Sequence, residues 1–152
     1  MDLTKLGDRA VIADAVTAIF ESVDDKAWDE CLELFDTELV ADFSSLNGGE
    51  PATITREQLV AGWRAGLHDE KESLHLVGAQ RIALDGDQAT ATFKGYAYNA
   101  LDERVWEVWG AYMLGFRRTE EGWKCAAITF DAWRTAGDDA VRTHTQQESA
   151  EG

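Results

Sequence analysis

Proline, cysteine and histidine are scarce in this chain of 152 residues, and acids outnumber bases. It has one Pro, two Cys, three His, 14 Lys plus Arg and 29 Asp plus Glu. Each shortage excludes something. Cys31 and Cys125 stand far apart and match no metal or redox spacing, so they read as two small buried apolar residues of a reducing compartment. A long-range disulfide between them stays open at this level. His68, His75 and His144, with two distant Cys, offer no convergent set of three or four ligands for zinc or iron, and no metal is expected. No Gly-rich fingerprint follows a strand and opens a helix, and no Gly-x-Ser-x-Gly elbow is present. Gly48-Gly49 before Pro51 reads as a turn. No cofactor is expected.

The formal charge of −15 repels phosphate backbones and anionic lipid, which argues against nucleic-acid and membrane partners. No apolar run approaches the roughly 20 residues of a membrane helix. Met1 to Phe20 mixes acids with apolar residues and lacks a signal-peptide core. A soluble, cytoplasmic protein is the expectation. Hydrophobic residues make up 45% and aromatics 10%, a globular composition rather than a disordered one. The length suits a single domain.

Val11, Ile12, Ala15, Val16, Ile19, Phe20 and Val23 recur at helical spacing and predict a first helix over about 8–22. Asp24-Asp25 interrupts it. A second helix follows over about 25–36, with Trp28, Cys31, Leu32 and Phe35 on one face. Residues 38–46 read as a short strand and 47–54 as a loop. Thr55 with Gln58 forms a capping box that opens a third helix over about 56–67. The period then changes to two. Strands are predicted over 73–84, 88–99, 104–118 and 123–134, with hairpin turns at Asp85-Gly86-Asp87 and Glu120-Glu121-Gly122. Residues 1–135 form the domain, and 136–152 read as a polar, frayed tail.

Helices segregated from antiparallel strands mean α+β. Three N-terminal helices packed in a strongly curved antiparallel sheet give a cone-shaped α+β barrel with an apolar pocket between the layers. Trp, Tyr and Val on both sheet faces leave apolar outer surface, so a homodimer or homotrimer is expected. The six Trp read as core and interface residues before they read as a ligand site.

The opening helix, Val23-Asp24-Asp25-Lys26-Ala27-Trp28-Asp29, Leu74-His75-Leu76-Val77, Asp85-Gly86-Asp87-Gln88-Ala89-Thr90-Ala91, Gly110-Ala111-Tyr112, Arg118-Thr119 and Gly122-Trp123 follow one another in that order. Over about residues 5–134 the chain resembles a SnoaL-like domain of the nuclear transport factor 2-like superfamily. Within that superfamily it is similar to the branch of scytalone dehydratase and hexachlorocyclohexane dehydrochlorinase. The resemblance implies a dyad of Asp24, at the end of the first helix, and His75, on the first long strand. His75 would act as general base, and Asp24 would fix its tautomer and stabilise the imidazolium. Imidazole titrates close to working pH, which suits it to that task. The implied chemistry is dehydration or elimination, isomerisation or cyclisation of a small apolar molecule, polyketide-, steroid- or terpenoid-like, without cofactor.

The alternative is a non-catalytic ligand-binding or interaction module of the same fold, since fold does not imply function. In that reading His75 bonds a backbone carbonyl and Asp24 caps a helix. Asp25 is the other candidate partner and the better cap. Related dehydratases place a second His or an acid on the strand after the Asp-Gly-Asp hairpin; Tyr98 or Asn99 stands there, according to register. The missing second His departs from the scytalone dehydratase pattern. The first helix has no basic residue at the dehydrochlorinase lysine position, where Val16, Ala18 and Ile19 stand, and Arg118 belongs to a structural hairpin signature. Thr129 and Asp131 share parity on the last strand and are further pocket candidates. An inward Asp131 would have to be protonated or paired.

Overall fold

The computed structural model describes residues 2–145. Helix α1 (Leu3–Asp24) is capped by the Asp2 side chain, which accepts from the backbone N–H of Thr4 and Lys5. Its buried stripe is Ile12, Val16, Ile19, Phe20 and Val23, the 3–4 spacing of a helix that covers a core. Lys26 turns the chain with a positive φ of 55°, and the short helix α2 (Trp28–Glu33) follows. Then come β1 (Phe35–Asp42), α3 (Ser44–Asn47), β2 (Ala52–Thr55) and α4 (Arg56–Gly66). Thr55 and Gln58 form the expected reciprocal cap on α4. The remaining elements are β3 (Lys71–Val77), β4 (Arg81–Asp85), β5 (Gln88–Leu101), β6 (Arg104–Thr119), β7 (Gly122–Gly137) and α5 (Asp139–Thr143).

The strands form one curled, unclosed sheet of order β2-β1-β7-β6-β5-β3, with β4 also paired to β5. Every pair is antiparallel except β1 with β7, which is parallel. The expected α+β architecture of N-terminal helices in a curved sheet is present, with this one parallel pairing added. Along β5, Ala89, Ala91, Phe93, Gly95, Ala97 and Asn99 alternate inward; along β6, Trp106, Val108, Gly110, Tyr112, Leu114 and Phe116 do so. Period two on strands and 3.6 on α1 bring one continuous core between helix and sheet. Asp8 on α1 receives both guanidinium arms of Arg118 (2.7 and 3.2 Å) and the indole N–H of Trp123 (3.1 Å). Arg118 thus ties the first helix to the last hairpin, the structural role its motif suggests.

Several boundaries differ from the sequence reading. The strand expected over 73–84 is two strands that pair with successive halves of β5, because the chain turns at Gly78, whose N–H donates to Lys94 O (2.7 Å). The loop expected over 47–54 contains β2, which pairs with β1 through Leu39 and Ile54. The tail expected from 136 begins instead as structure. Strand β7 runs to Gly137, Asp138 caps α5, and Val141 is fully buried. The His144 ring hydrogen-bonds the buried His68 ring (2.9 Å), and the Lys71 ammonium donates to the His144 carbonyl oxygen. One apolar side chain and three polar contacts are enough to fold a segment whose composition is polar. The rest of the expected tail, 146–152, lies outside the described residues.

Cys31 and Cys125 are both buried and free. Burial pushes the Cys125 thiol up to about 12, so it packs as a small apolar group. Among the described residues no helix is long and apolar enough to cross a membrane.

Candidate active site

Asp24 ends α1 and meets the edge strand β3 where that strand leaves one rim unpaired. The β3 side chains alternate, and Lys71, Ser73, His75 and Val77 turn inward. The Asp24 carboxylate accepts three hydrogen bonds. The Ser73 hydroxyl donates to Oδ1 (2.8 Å), the His75 backbone N–H donates to Oδ2 (2.7 Å), and His75 Nδ1 lies 2.7 Å from Oδ1. An ionised carboxylate only accepts, so the network assigns the proton to Nδ1 and leaves the Nε2 lone pair available. Burial pushes the Asp24 carboxyl up, but the hydrogen bonds and charge of His75, with the hydroxyl of Ser73, outweigh it and hold the group below its ordinary value. The dyad side chains keep 14% and 15% of their surface accessible, enough for a ligand to reach the imidazole.

That imidazole opens onto a cavity of about 440 Å³ between the sheet, α1, α3 and α4. Phe20 packs 5.4 Å from the His75 ring, centroid to centroid. Phe43, Trp63, Trp106, Tyr112 and Phe130 line the rest of an apolar wall. Glycine makes room for two of these rings. A Cβ on Gly95 would stand 2.5 Å from the Tyr112 ring, and one on Gly110 would stand 2.8 Å from Phe130 and against the Asp131 carbonyl oxygen. Burial, and then the Asp24 charge, push the Tyr112 phenol up, so its hydroxyl stays protonated and available as a donor.

The predicted site residues divide. Asn99 faces the cavity and is 7% exposed, and among the described residues its carboxamide makes no hydrogen bond. Tyr98 points to the other face, between Leu74 and Glu107 on the neighbouring strands. Thr129 and Asp131 are also on the outer face, in a shallow groove with Lys94 and Trp133. Placing these three in the pocket is corrected by strand register. For Tyr98 the reason is simple alternation with Asn99. For the other two it is a bulge. Gly115 pairs with Ala127 and Phe116 with Cys125, so Ala126 is an extra residue. Inward parity passes from Trp123 and Cys125 before the bulge to Ile128 and Phe130 after it. A one-residue insertion exchanges the two faces of a strand.

Four wall residues escape the sequence reading. Lys71 shares inward parity with His75, a signal hidden by starting that strand at 73. Asn47 and Gln58 lie in segments read as loop and cap, and Arg142 lies in the expected tail. Among the described residues no three His, Cys, Asp or Glu side chains converge as a metal site would require.

Several solved structures share this fold. A protein of Kribbella flavida, Kfla4162, superposes with a TM-score of 0.83 at 24% identity, covering 87% of this chain and 95% of that one. A protein provisionally assigned as a scytalone dehydratase from Novosphingobium aromaticivorans gives 0.78 at 15% identity, covering 91% and 92%. The type 3 hexachlorocyclohexane dehydrochlorinase of Novosphingobium barchaimii gives 0.73 at 15% identity, covering 91% and 94%. At these identities the likeness is one of fold, the nuclear transport factor 2-like fold. No curated protein matches. A family model does: it aligns with residues 4–129, a span that contains nearly all of α1, the dyad and the curled sheet through the first half of β7. The chain belongs to the SnoaL-like domain family.

Proposed function

We propose that this protein is a cofactor-independent small-molecule enzyme in which His75 abstracts a proton from carbon and Asp24 orients and supports it. The reading rests chiefly on one observation: the 2.7 Å contact between His75 Nδ1 and Asp24, made at the wall of an apolar cavity. A base held in one tautomer by a second group is the geometry of general-base catalysis. The dehydratase and dehydrochlorinase assignments among the structural relatives favour the same class.

The Nε2 lone pair takes a proton from a carbon next to a carbonyl. The C–H electron pair passes to the carbonyl oxygen. Asn99, a buried donor whose carboxamide makes no hydrogen bond among the described residues, hydrogen-bonds that oxygen as its charge grows, the kind of stabilisation that lowers a barrier most in a dry site. The pair then returns to a different carbon, which takes the proton back from the imidazolium, and this is isomerisation; or it attacks a carbonyl carbon within the molecule, whose oxygen takes that proton, and this is cyclisation; or it expels a hydroxyl from the β position, which is dehydration. In the last case the imidazolium returns its proton to the departing hydroxide as water. The cavity suits a flat, apolar, polyketide-, steroid- or terpenoid-like molecule of a few fused rings.

Hydrogen exchange tests this without knowing the product. Cyclic ketones such as α-tetralone are incubated with the protein in D2O, and deuterium entering at the α carbon is followed by mass spectrometry. Catalysed exchange by the wild type, and its loss in a folded His75→Gln variant, is the expected result. Exchange undiminished in His75→Gln, or no exchange above solvent across the ketone panel, would overturn the assignment.

A further inference from the structure

Among the described residues the cavity wall carries charge of one sign. The chain holds 29 acids and 14 Lys plus Arg, yet the charged side chains on the wall are Lys71 and Arg142, and among the described residues no Asp or Glu lines it. Asp24 stands behind His75. Lys71 is 2% exposed, and a cation so buried requires polar partners. Its ammonium donates to the carbonyl oxygen of His144, two residues beyond Arg142, so both cations sit at the α5 end of the cavity.

Arg142 is built into that end and is not spent there. Its Nε and Nη2 donate to Asp139 (2.7 and 3.1 Å), and Nη1 donates to Asn47 Oδ1 (2.9 Å). A guanidinium has five N–H donors, so two remain. The Asp139 side chain is 65% exposed and stands off the wall, where water screens its charge. From Lys71 to His75 is four residues of strand rise, about 13 Å. The cations and the base therefore stand at opposite ends of an aromatic slot.

We propose that the cavity selects a flat apolar molecule bearing a carboxylate, held by Arg142 with Lys71 reinforcing the positive potential, at the end remote from the reacting carbon. The distance from the reacting carbon rests on the reading of His75 as base; the binding preference does not. The planar fork of Arg142 matches a carboxylate. A neutral isostere keeps the apolar contacts and forfeits the charge.

The test is binding of 1-naphthoate against its uncharged amide, followed by quenching of the cavity tryptophans and by calorimetry. The wild type is expected to bind naphthoate about tenfold or more tighter than naphthamide, the scale of a hydrogen bond to a charged group. Arg142→Gln should bring naphthoate to the level of the amide and leave the amide unchanged. Asp139→Asn, which releases N–H donors without touching the wall, should tighten naphthoate severalfold. Equal binding of the two probes by the wild type, equal weakening of both by Arg142→Gln, or naphthoate bound no tighter by Asp139→Asn would overturn the proposal. Naphthoate preference without catalysed ketone exchange leaves this proposal standing and removes the proposed reaction; exchange without preference does the reverse.

Discussion

Replacing Asp24 by Asn is the most informative single change, because its outcome follows from counting donors. The carboxylate accepts from Ser73 Oγ and His75 Nδ1 at one oxygen and from the His75 backbone N–H at the other. An amide has one acceptor oxygen and one NH2 group. With its oxygen toward the imidazole, the NH2 faces a backbone N–H on an edge strand, donor against donor. With its oxygen toward that N–H, the NH2 faces Nδ1, which must then accept, and the imidazole proton moves to Nε2. The second arrangement is the cheaper, since the Ser73 hydroxyl can rotate and accept. It would also disable the proposed base, because Nε2 no longer has a lone pair. Each of the three bonds changes from charge-assisted to neutral at about 1 kcal/mol, partly offset by no longer burying a charge. A net loss of about 2 kcal/mol is expected, and a Tm lower by roughly 4–8 °C. The wrong tautomer should lower the exchange rate by about 10³–10⁴-fold. Long-range 15N correlation spectra of the imidazole report the tautomer directly. The pH dependence has a definite sign. The folded Asp24 carboxyl lies below its ordinary 3.8, so its stabilisation is complete above about pH 4 and is lost as pH falls through the folded value. The stability gap between wild type and Asp24→Asn should therefore close in acid. A folded Asp24→Asn protein that keeps Nδ1–H and full exchange would refute the reasoning.

Other perturbations probe the surroundings. Burial, and then the charges of Lys71 and His144, hold the His68 imidazole below its ordinary 6.5 against the opposing pull of Glu70. The stabilisation from neutral His68 should therefore fade as pH drops below about 6.5, and amide protection factors over 138–145 should fall at pH 5 relative to pH 7 while those of α1 hold; equal protection factors at both would count against it. Gly110→Ala places a methyl against the Asp131 carbonyl and the Phe130 ring, and should cost roughly 2–3 kcal/mol in denaturant unfolding; a loss under about 0.5 kcal/mol would show the strands can part there. The outer face exposes Leu74, Leu76, Met113 and Trp133, the last at 57%, so sedimentation should find a homodimer or homotrimer that Trp133→Lys weakens. A monomer at tens of micromolar would reject that surface as an interface.

The sequence by itself determined the elements that periodicity and capping can write. Ile12, Val16, Ile19 and Val23 specify the buried stripe of α1, Thr55 with Gln58 specifies where α4 begins, and alternation with Asp-Gly-Asp specifies the β4–β5 hairpin. It also brought Asp24 and His75 forward as a pair, through the resemblance those ordered segments carry. Tertiary structure alone decided the rest of the wall. One extra residue at Ala126 turned Thr129 and Asp131 outward, and a single strand step separated Asn99 from Tyr98. A bulge changes facing without changing composition, so no local pattern announces it. The segment around Arg142 is polar and aperiodic, and it is held by Val141 and by partners from distant parts of the chain. Only the folded chain could bring Arg142 and Lys71 to one end of the cavity and His75 with Asp24 to the other, because the contacts that place them are between residues far apart in sequence.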